Sequence, residues 1–597
     1  MHREFLMGNE AIALGALAAG VNLVCGYPGT PSTEVLETVA KRRSEGVYVE
    51  WSVNEKTAME MAGGAAYAGA RALVTMKQMG LNVAADPLMC LSYIGVKGGL
   101  VVLVADDPGP ISSQTEQDSR TFAAFSKAPL FDPSSAQEAY DMIQAAFDFS
   151  EAHQTPVFLR PTTRVSHGYA DIRVKDPEEY TVNTPEGFVK DSSRWVIFPR
   201  LSYQNHIKIE KRNALLQDTL SDCPFNQILP GPGRKGVAAS GISYTYVMEA
   251  RRQLGDMPLF KVGVPFPFPE KLAKDFLSGL DEVLCVEELD PVLERSLTYV
   301  CGKYGLKTKI YGKLTGHTPA AGENTRDGVK AALSAFLGIP QAQDTAPALP
   351  PLPVRPPVLC AGCPHRASFY AVKQAMKGQK TIFCGDIGCY TLGNAQPLDM
   401  VDTCLCMGAG LGIAQAVNHL DKDTRCFAFV GDSTFFASAI PGVVNAVYNQ
   451  AEFTLIVLDN STTAMTGHQP HPGTGKTMMG EIVEKVSIEG VLRGIGVQTV
   501  ETVDPLNHAL SVETVKRVSA QPGVKAVIFK SPCVVLAKPQ GRATVDQAKC
   551  VGCKKCIREI GCPALSFADG KAVIDPGQCV GCSLCGQLCP AGAILGR

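Results

Sequence analysis

Residues 426–462 read CFAFVGDSTFFASAIPGVVNAVYNQAEFTLIVLDNST. Cys426 to Val430 is an apolar run of strand length, Pro441 to Gln450 reads as a helix with proline in its first turn, and Thr454 to Leu458 is a second strand. This is a βαβ unit, whose right-handed crossover makes the strands parallel and brings their C-terminal ends to one sheet edge. Gly431-Asp432-Ser433 leaves the first strand at that edge and Asp459-Asn460-Ser461-Thr462 leaves the second. A carboxylate, an amide oxygen and a backbone carbonyl can share a hard cation there, with phosphate oxygens completing its shell, as Mg2+ is commonly held. A diphosphate would then lie at strand C-termini and face helix N-termini.

Outward from this unit, an α/β segment spans residues 358–540. Eight prolines fall between Pro340 and Pro364, and 340–357 reads as an extended linker. Residues 1–177 alternate helical stretches with β-rich runs at Asn22 to Cys25, Val47 to Trp51, Ala72 to Met76, Leu100 to Ala105 and Pro156 to Leu159, the rhythm of a parallel sheet. Residues 178–339 form a middle α/β domain whose lead-in, 178–235, is polar and weakly periodic, and no chemistry can be named in it. With 597 residues and about 150 per domain, about four domains are expected.

The chain has 45% apolar and 19% charged residues and a formal charge of −2, from 56 basic and 58 acidic side chains. Such a balance draws it neither to nucleic acid nor to an anionic membrane. Ala11 to Cys25 is the longest apolar stretch near the start, but it is shorter than a membrane span and lacks the basic flank of a signal peptide, so a cytoplasmic location is expected.

Eight of the 21 cysteines lie in the last 48 residues. The tail, 541–597, reads Cys550-x2-Cys553-x2-Cys556-x5-Cys562-Pro563 and then Cys579-x2-Cys582-x2-Cys585-x3-Cys589-Pro590. Two such runs are the signature of a two-cluster ferredoxin module, in which the fourth cysteine of each run crosses to the other cluster. One 4Fe-4S cluster therefore takes Cys550, Cys553, Cys556 and Cys589, and the other takes Cys579, Cys582, Cys585 and Cys562. Zinc is the weaker reading, because structural zinc motifs supply ligands in pairs. The five-residue gap before Cys562 departs from the pattern and is expected to reshape the second site. Gly473 to Thr477 (GTGKT) imitates a phosphate loop but has proline at 470 where that loop needs glycine, and it does not directly follow a strand.

Gly-Asp-Ser with Asn460 twenty-eight residues after Asp432 resembles the thiamine diphosphate motif. The resemblance implies that Asp432, the Asn460 side chain and the Thr462 carbonyl bind Mg2+, with Gly431, Ser433, Gly408 and Gly410 against the cofactor. It also implies that a second domain holds the aminopyrimidine through a glutamate that exchanges a proton with the ring. Glu55, opening a helix after the Val47 to Trp51 strand, is the candidate.

Tyr27-Pro28-Gly29-Thr30-Pro31-Ser32, Glu55, the Gly-Asp-Ser motif with Asn460, and the ferredoxin tail, in that order, resemble the 2-oxoacid:ferredoxin oxidoreductases. Cys363-Pro364-His365-Arg366, Gly385-Asp386-Ile387-Gly388-Cys389 and residues 466–473 (TGHQPHPG) look like the α subunits of the indolepyruvate branch. The implied fold is α/β and multidomain: two thiamine diphosphate-binding parallel-sheet domains, a transketolase C-terminal-like domain and a small two-cluster ferredoxin domain.

The implied reaction is oxidative decarboxylation of a 2-oxoacid, an arylpyruvate such as indolepyruvate, with coenzyme A, electrons passing through the clusters to ferredoxin. A small β subunit in an α2β2 assembly is implied as partner. Thr30 and Arg120 would face the substrate. A third 4Fe-4S cluster would fall on Cys360, Cys363, Cys389 and Cys533, leaving Cys384, Cys404, Cys406 and Cys426 to the core. His365, His468 and His471 rank below Glu55, since loop histidines are mostly solvated. Two alternatives stand beside this reading: a non-oxidative thiamine-dependent decarboxylase, and an electron-transfer subunit with a vestigial thiamine fold.

Overall fold

The computed structural model describes residues 1–340, 350–539 and 541–596. The chain falls into two compact units, 1–347 and 348–597. Half of the expected linker, residues 341–349, and the boundary residue 540 lie outside the described residues; 350–357 is exposed coil.

In the first unit, six parallel strands lie in the order Tyr48–Trp51, Leu23–Gly26, Ala72–Lys77, Leu100–Ala105, Val157–Leu159, Leu130–Phe131. Leu100–Ala105 is fully buried along its length, which is why it reads as an unbroken apolar run. Five sheet strands match the sequence reading to within about a residue; Leu130–Phe131, with two residues, is too short to show a pattern. His2–Met7 pairs antiparallel with Tyr169–Val174 apart from this sheet.

The second sheet of this unit has the order Lys309–Tyr311, Glu282–Val286, Lys235–Ala239, Leu259–Val262, Asn226–Leu229, with the last strand antiparallel. The polar lead-in contains a 21-residue helix, Pro199–Thr219, of which only Ile209, Asn213 and Leu216 are buried. That narrow stripe is the reason its periodicity was too weak to read. The helix packs back on the first sheet's domain, where Asn205 donates to the Tyr93 carbonyl and Arg212 to the Lys127 carbonyl.

The second unit holds five parallel strands in the order Thr381–Cys384, Arg425–Gly431, Phe453–Asp459, Val524–Lys530, Thr499–Val503. The helix of the opening βαβ unit starts earlier than expected, at Asp432 directly after the strand, and reaches Tyr448 through a π-helical turn at Phe435–Ala439. Pro441 lacks an N–H and cannot continue an ordinary ladder, and the widened turn just ahead of it absorbs the defect. Gly473–Thr477 is irregular, and the next helix begins only at Ile488.

The tail of this unit is built from a Leu565–Ala568/Lys571–Ile574 hairpin, a Thr544–Val545/Ile594–Leu595 pair and two one-turn helices, Lys555–Arg558 and Leu584–Gln587. Its two halves repeat in backbone conformation at an offset of 29 residues, with Gly552 and Gly581, and Lys554 and Ser583, all at positive φ. Among the described residues no helix is long and apolar enough to cross a membrane.

Candidate functional site

In the first unit the candidate residues gather at the C-terminal edge of the six-stranded sheet. Asn54 caps the Glu55–Tyr67 helix by accepting from the Thr57 N–H, which places Glu55 in the first helical turn. The Glu55 carboxyl lies over Gly80, where a Cβ would stand 2.5 Å from Oε1; the close approach requires glycine. Burial pushes the Glu55 acid up to about 6, against the opposing pull of its own backbone N–H and of Lys77. Burial likewise lowers the Lys77 ammonium.

Thr30 stands half-buried at the end of the neighbouring strand, before a cis Thr30–Pro31 bond, and its carbonyl accepts from Ser112 Oγ at 3.2 Å. Lys77 Nζ donates to the Ser112 carbonyl, so Thr30, Lys77 and Ser112 form one linked group.

Arg120 is elsewhere occupied. It is 1% exposed, and it bonds Asp118, Glu287 Oε2 at 2.8 Å, Ser240 Oγ, and the carbonyls of Glu288 and Asp290. Every N–H direction of the guanidinium is spent, so none remains for a substrate carboxylate. Arg120 instead ties the first sheet's domain to the middle one, beside Arg160, which bridges Asp106 and Asp132. This buried network carries more carboxyls than cations, and burial raises Glu288 to about 7.

In the second unit Gly431 pairs with Leu458, so Asp432 and Asn460 leave adjacent strands at the same edge, as the crossover rule requires. Asp432, Asn460 and Thr462 are 3%, 6% and 4% exposed. The Asp432 carboxylate accepts from the Ser433 and Ser461 N–H groups, and Asn460 Oδ1 accepts from the Thr462 N–H. Thr463 Oγ1 and Ser433 Oγ lie 3.0 Å apart.

Gly408, at φ +80°, caps the Ala409–Leu420 helix, and its N–H donates to Asp386. A Cβ at Gly408 would stand 2.8 Å from Ser438 Oγ, and one at Gly410 2.8 Å from the Gly385 carbonyl. Ser438 Oγ is buried without a partner among the described residues. An orphaned hydroxyl beside a glycine-lined helix N-terminus suits a phosphate oxygen, and hard oxygens on Asp432 and Asn460 suit a magnesium ion. The residues present fit both groups.

The histidine expectation is corrected for two of the three. His365 is 3% exposed and its Nε2 meets Asn460 Nδ2 at 3.1 Å; His471 Nε2 lies 3.2 Å from Asp432 Oδ2, with its side chain 5% exposed. Burial holds His365 down to about 4. Tyr390 has no role in the sequence reading, nor has Asp386, present there only within the Gly385–Cys389 motif: the buried Tyr390 hydroxyl donates to Asp386 Oδ2 at 2.8 Å, fixing the carboxyl that holds Gly408. Only the acid beside the glycine-rich run hints at this in the sequence.

The eight tail thiols sort into two groups. Cys550, Cys553, Cys556 and Cys589 line one small cavity. Burial raises the Cys585 thiol up to about 12, and Cys582, Cys562 and Cys579 add to it ahead of Cys556 of the first group. The fourth cysteine of each run thus stands with the three of the other.

Thiols of the scattered set also stand near one another. Burial raises the Cys389 and Cys363 thiols, and on top of it Cys360 and Cys533 raise Cys389 and Cys360 raises Cys363. Three of the four are tied to the Asp432 edge: Cys363 precedes Pro364-His365, Cys389 precedes Tyr390, and the Cys533 N–H donates to the Asn460 carbonyl at 3.0 Å. Among the described residues no three His, Cys, Asp or Glu side chains converge as tightly as a single ion demands. Cys384 and Cys426 are buried as expected, but Cys404 and Cys406 are exposed, in the loop that delivers the chain to Gly408.

Comparison with known proteins bears on this geometry. Residues 14–210 match the profile of the pyruvate flavodoxin/ferredoxin oxidoreductase thiamine diphosphate-binding domain, 386–529 that of the thiamine pyrophosphate enzyme C-terminal binding domain, and 572–595 that of the 4Fe-4S binding domain. The chain is similar to the indolepyruvate oxidoreductase subunit IorA of Methanothermobacter thermautotrophicus, 43% identical over 99% of this chain and 97% of that one. The IorA of Archaeoglobus fulgidus is 39% identical over the same shares.

The chain belongs to the IorA family of indolepyruvate oxidoreductase subunits. Thiamine diphosphate and 4Fe-4S iron are accordingly its cofactors, and it is an enzyme of the 2-oxoacid:ferredoxin oxidoreductase class. The family likeness extends weakly to a 2-oxoglutarate synthase subunit KorA of Methanocaldococcus jannaschii, 28% identical over 35% of this chain and 61% of that one. A solved 2-oxoglutarate:ferredoxin oxidoreductase from Magnetococcus marinus aligns at 17% identity with a TM-score of 0.46, over 56% of this chain and 65% of that chain.

Proposed function

We propose that the chain catalyses oxidative decarboxylation of an arylpyruvate such as indolepyruvate: 2-oxoacid and coenzyme A give acyl-CoA, carbon dioxide, one proton and two electrons. The observation that carries this reading is full-length identity of 39–43% to IorA proteins. Thiamine diphosphate supplies the carbon nucleophile and electron sink that a protein side chain lacks. Glu55, with an acid strength near neutrality, exchanges a proton with the ring from a first helical turn. Asp432, Asn460 and the Thr462 carbonyl hold Mg2+, while Gly408, Gly410, Gly431 and Ser433 give backbone and hydroxyl contact to the diphosphate. Thr30 is the substrate-facing residue that stays in the reading; Arg120 leaves it.

Twelve cysteines hold three 4Fe-4S clusters, the Cys360, Cys363, Cys389 and Cys533 set standing at the Asp432 edge, where electrons leave. Ferredoxin receives the electrons. A small β subunit completes an α2β2 enzyme. The test is anaerobic purification with that subunit, a count of iron and thiamine, and assay of indolepyruvate, phenylpyruvate and pyruvate with coenzyme A and a ferredoxin substitute dye. Arylpyruvate-dependent dye reduction is expected. Aldehyde release without dye reduction would establish the non-oxidative decarboxylase instead, and iron without thiamine the vestigial subunit.

A further inference from the structure

Arg366 is 4% exposed, on the first turn of the Pro364–Ala375 helix. A buried guanidinium demands an anion nearby, yet among the described residues no carboxylate pairs with it. Its hydrogen bonds go to backbone carbonyls: Nη1 to Ile560 at 2.6 Å and Gly561 at 2.9 Å, and Nη2 to Leu359 at 2.6 Å. Its Nε is buried and unpartnered. Burial lowers the guanidinium, and against that pull stand Cys562 and Cys582 from one thiol set and Cys363 and Cys360 from the other.

The two sets abut at this point. A Cβ on Gly362, between Cys360 and Cys363, would stand 2.1 Å from the Val580 side chain, which lies between Cys579 and Cys582. Ile560 and Gly561 belong to the lengthened gap before Cys562, so the departure from the regular spacing has a use. The same helix face holds that gap again through the Tyr370 hydroxyl, which donates to Glu559 at 3.2 Å.

We propose that Arg366 is a positioning residue for electron transfer, a fixed cation shared by the Cys360–Cys533 and Cys562–Cys585 cluster sites that favours the reduced state of both. A four-thiolate cubane carries two negative charges when oxidised and three when reduced. One electron leaves the first site and one arrives at the second, with no proton and no bond change, and the arginine faces the added charge on either side. The residues fit because the unmatched buried cation acquires its anions only when both thiolate sets are formed. The inference rests on the reading that the Cys360 set holds a cluster.

The test is a redox titration of the anaerobic holoenzyme followed by electron paramagnetic resonance, beside an iron count. Arg366→Gln is expected to keep its iron and to shift the reduction equilibrium of the two flanking clusters about tenfold toward the oxidised form, 59 mV for one electron. The Cys550 cluster should not move. Arg366→Lys, which keeps the charge, and Tyr370→Phe, which loosens only the docking, should titrate like the wild type. Unmoved midpoints in an iron-replete Arg366→Gln enzyme overturn the proposal, and so does an equal shift in Tyr370→Phe. Should Arg366→Gln fail to hold iron, the wild type decides, because the Cys562 cluster must titrate above the Cys550 cluster and the reverse order overturns the proposal. A wild-type count of about eight irons instead of about twelve removes the Cys360 cluster alone, and the Cys562 cluster still decides the role of Arg366.

Discussion

Glu55 is a carboxyl whose folded-state acid strength, about 6, lies above the ordinary value of 4.5 because burial penalises its charge. A raised carboxyl favours folding fully below the ordinary value and loses that contribution as the pH climbs through the folded one. The cofactor-free protein should therefore lose up to about 2 kcal/mol between pH 4.5 and pH 7 from this residue. Glu55→Gln should remove that slope while binding thiamine diphosphate and turning over at least about a hundredfold more slowly. A stability difference between the two proteins that stays flat across this range would show Glu55 to be solvated. Asp432→Asn keeps the shape that receives the Ser461 N–H but removes the charge beside His471. Thiamine diphosphate binding measured by calorimetry should weaken at least about tenfold, with the tail's iron unchanged; loss of both would make the sites interdependent.

Glycines at element junctions carry two further expectations. Gly408 caps its helix at φ +80°, so Gly408→Ala meets both left-handed backbone strain, about 1–2 kcal/mol, and the Ser438 hydroxyl. A fall in thermal midpoint with weakened diphosphate binding is expected, and calorimetry checks both. Gly362→Ala, at φ +75°, would drive a methyl into Val580. Iron should be lost from the Cys562 site first, and a second change, Val580→Ala, should restore part of it.

The elements themselves were legible to unequal degrees. Leu100–Ala105 and Phe453–Asp459 were readable because both faces are buried and nearly every residue is apolar, Thr454 and the terminal Asp459 excepted. Pro199–Thr219 was not, since three buried positions in 21 leave no clear period, and the first turns of the Asp432 helix were masked because proline looked like its start.

The middle domain is joined to the first by buried charge. Arg120→Met would leave Asp118 and Glu287 without their cation, a loss of roughly 3–5 kcal/mol, seen as faster hydrogen exchange in residues 236–337 with the second unit unaffected. Protection equal to the wild type would mean that other contacts carry the junction.

Local spacing alone named the ferredoxin cysteines, because one cluster draws its first three ligands from seven consecutive residues, and it named Asp432 and Asn460, because one crossover geometry serves every βαβ unit. Arg120 and Arg366 could not be told apart by such means: each is an arginine near a plausible anion in the sequence, and one proves paired with carboxylates while the other bonds backbone carbonyls beside two thiol sets. Cys404 against Cys426, and His365 against an ordinary loop histidine, are the same case. Burial and partner choice are sums over residues that lie far away along the chain, and only packing brings those together.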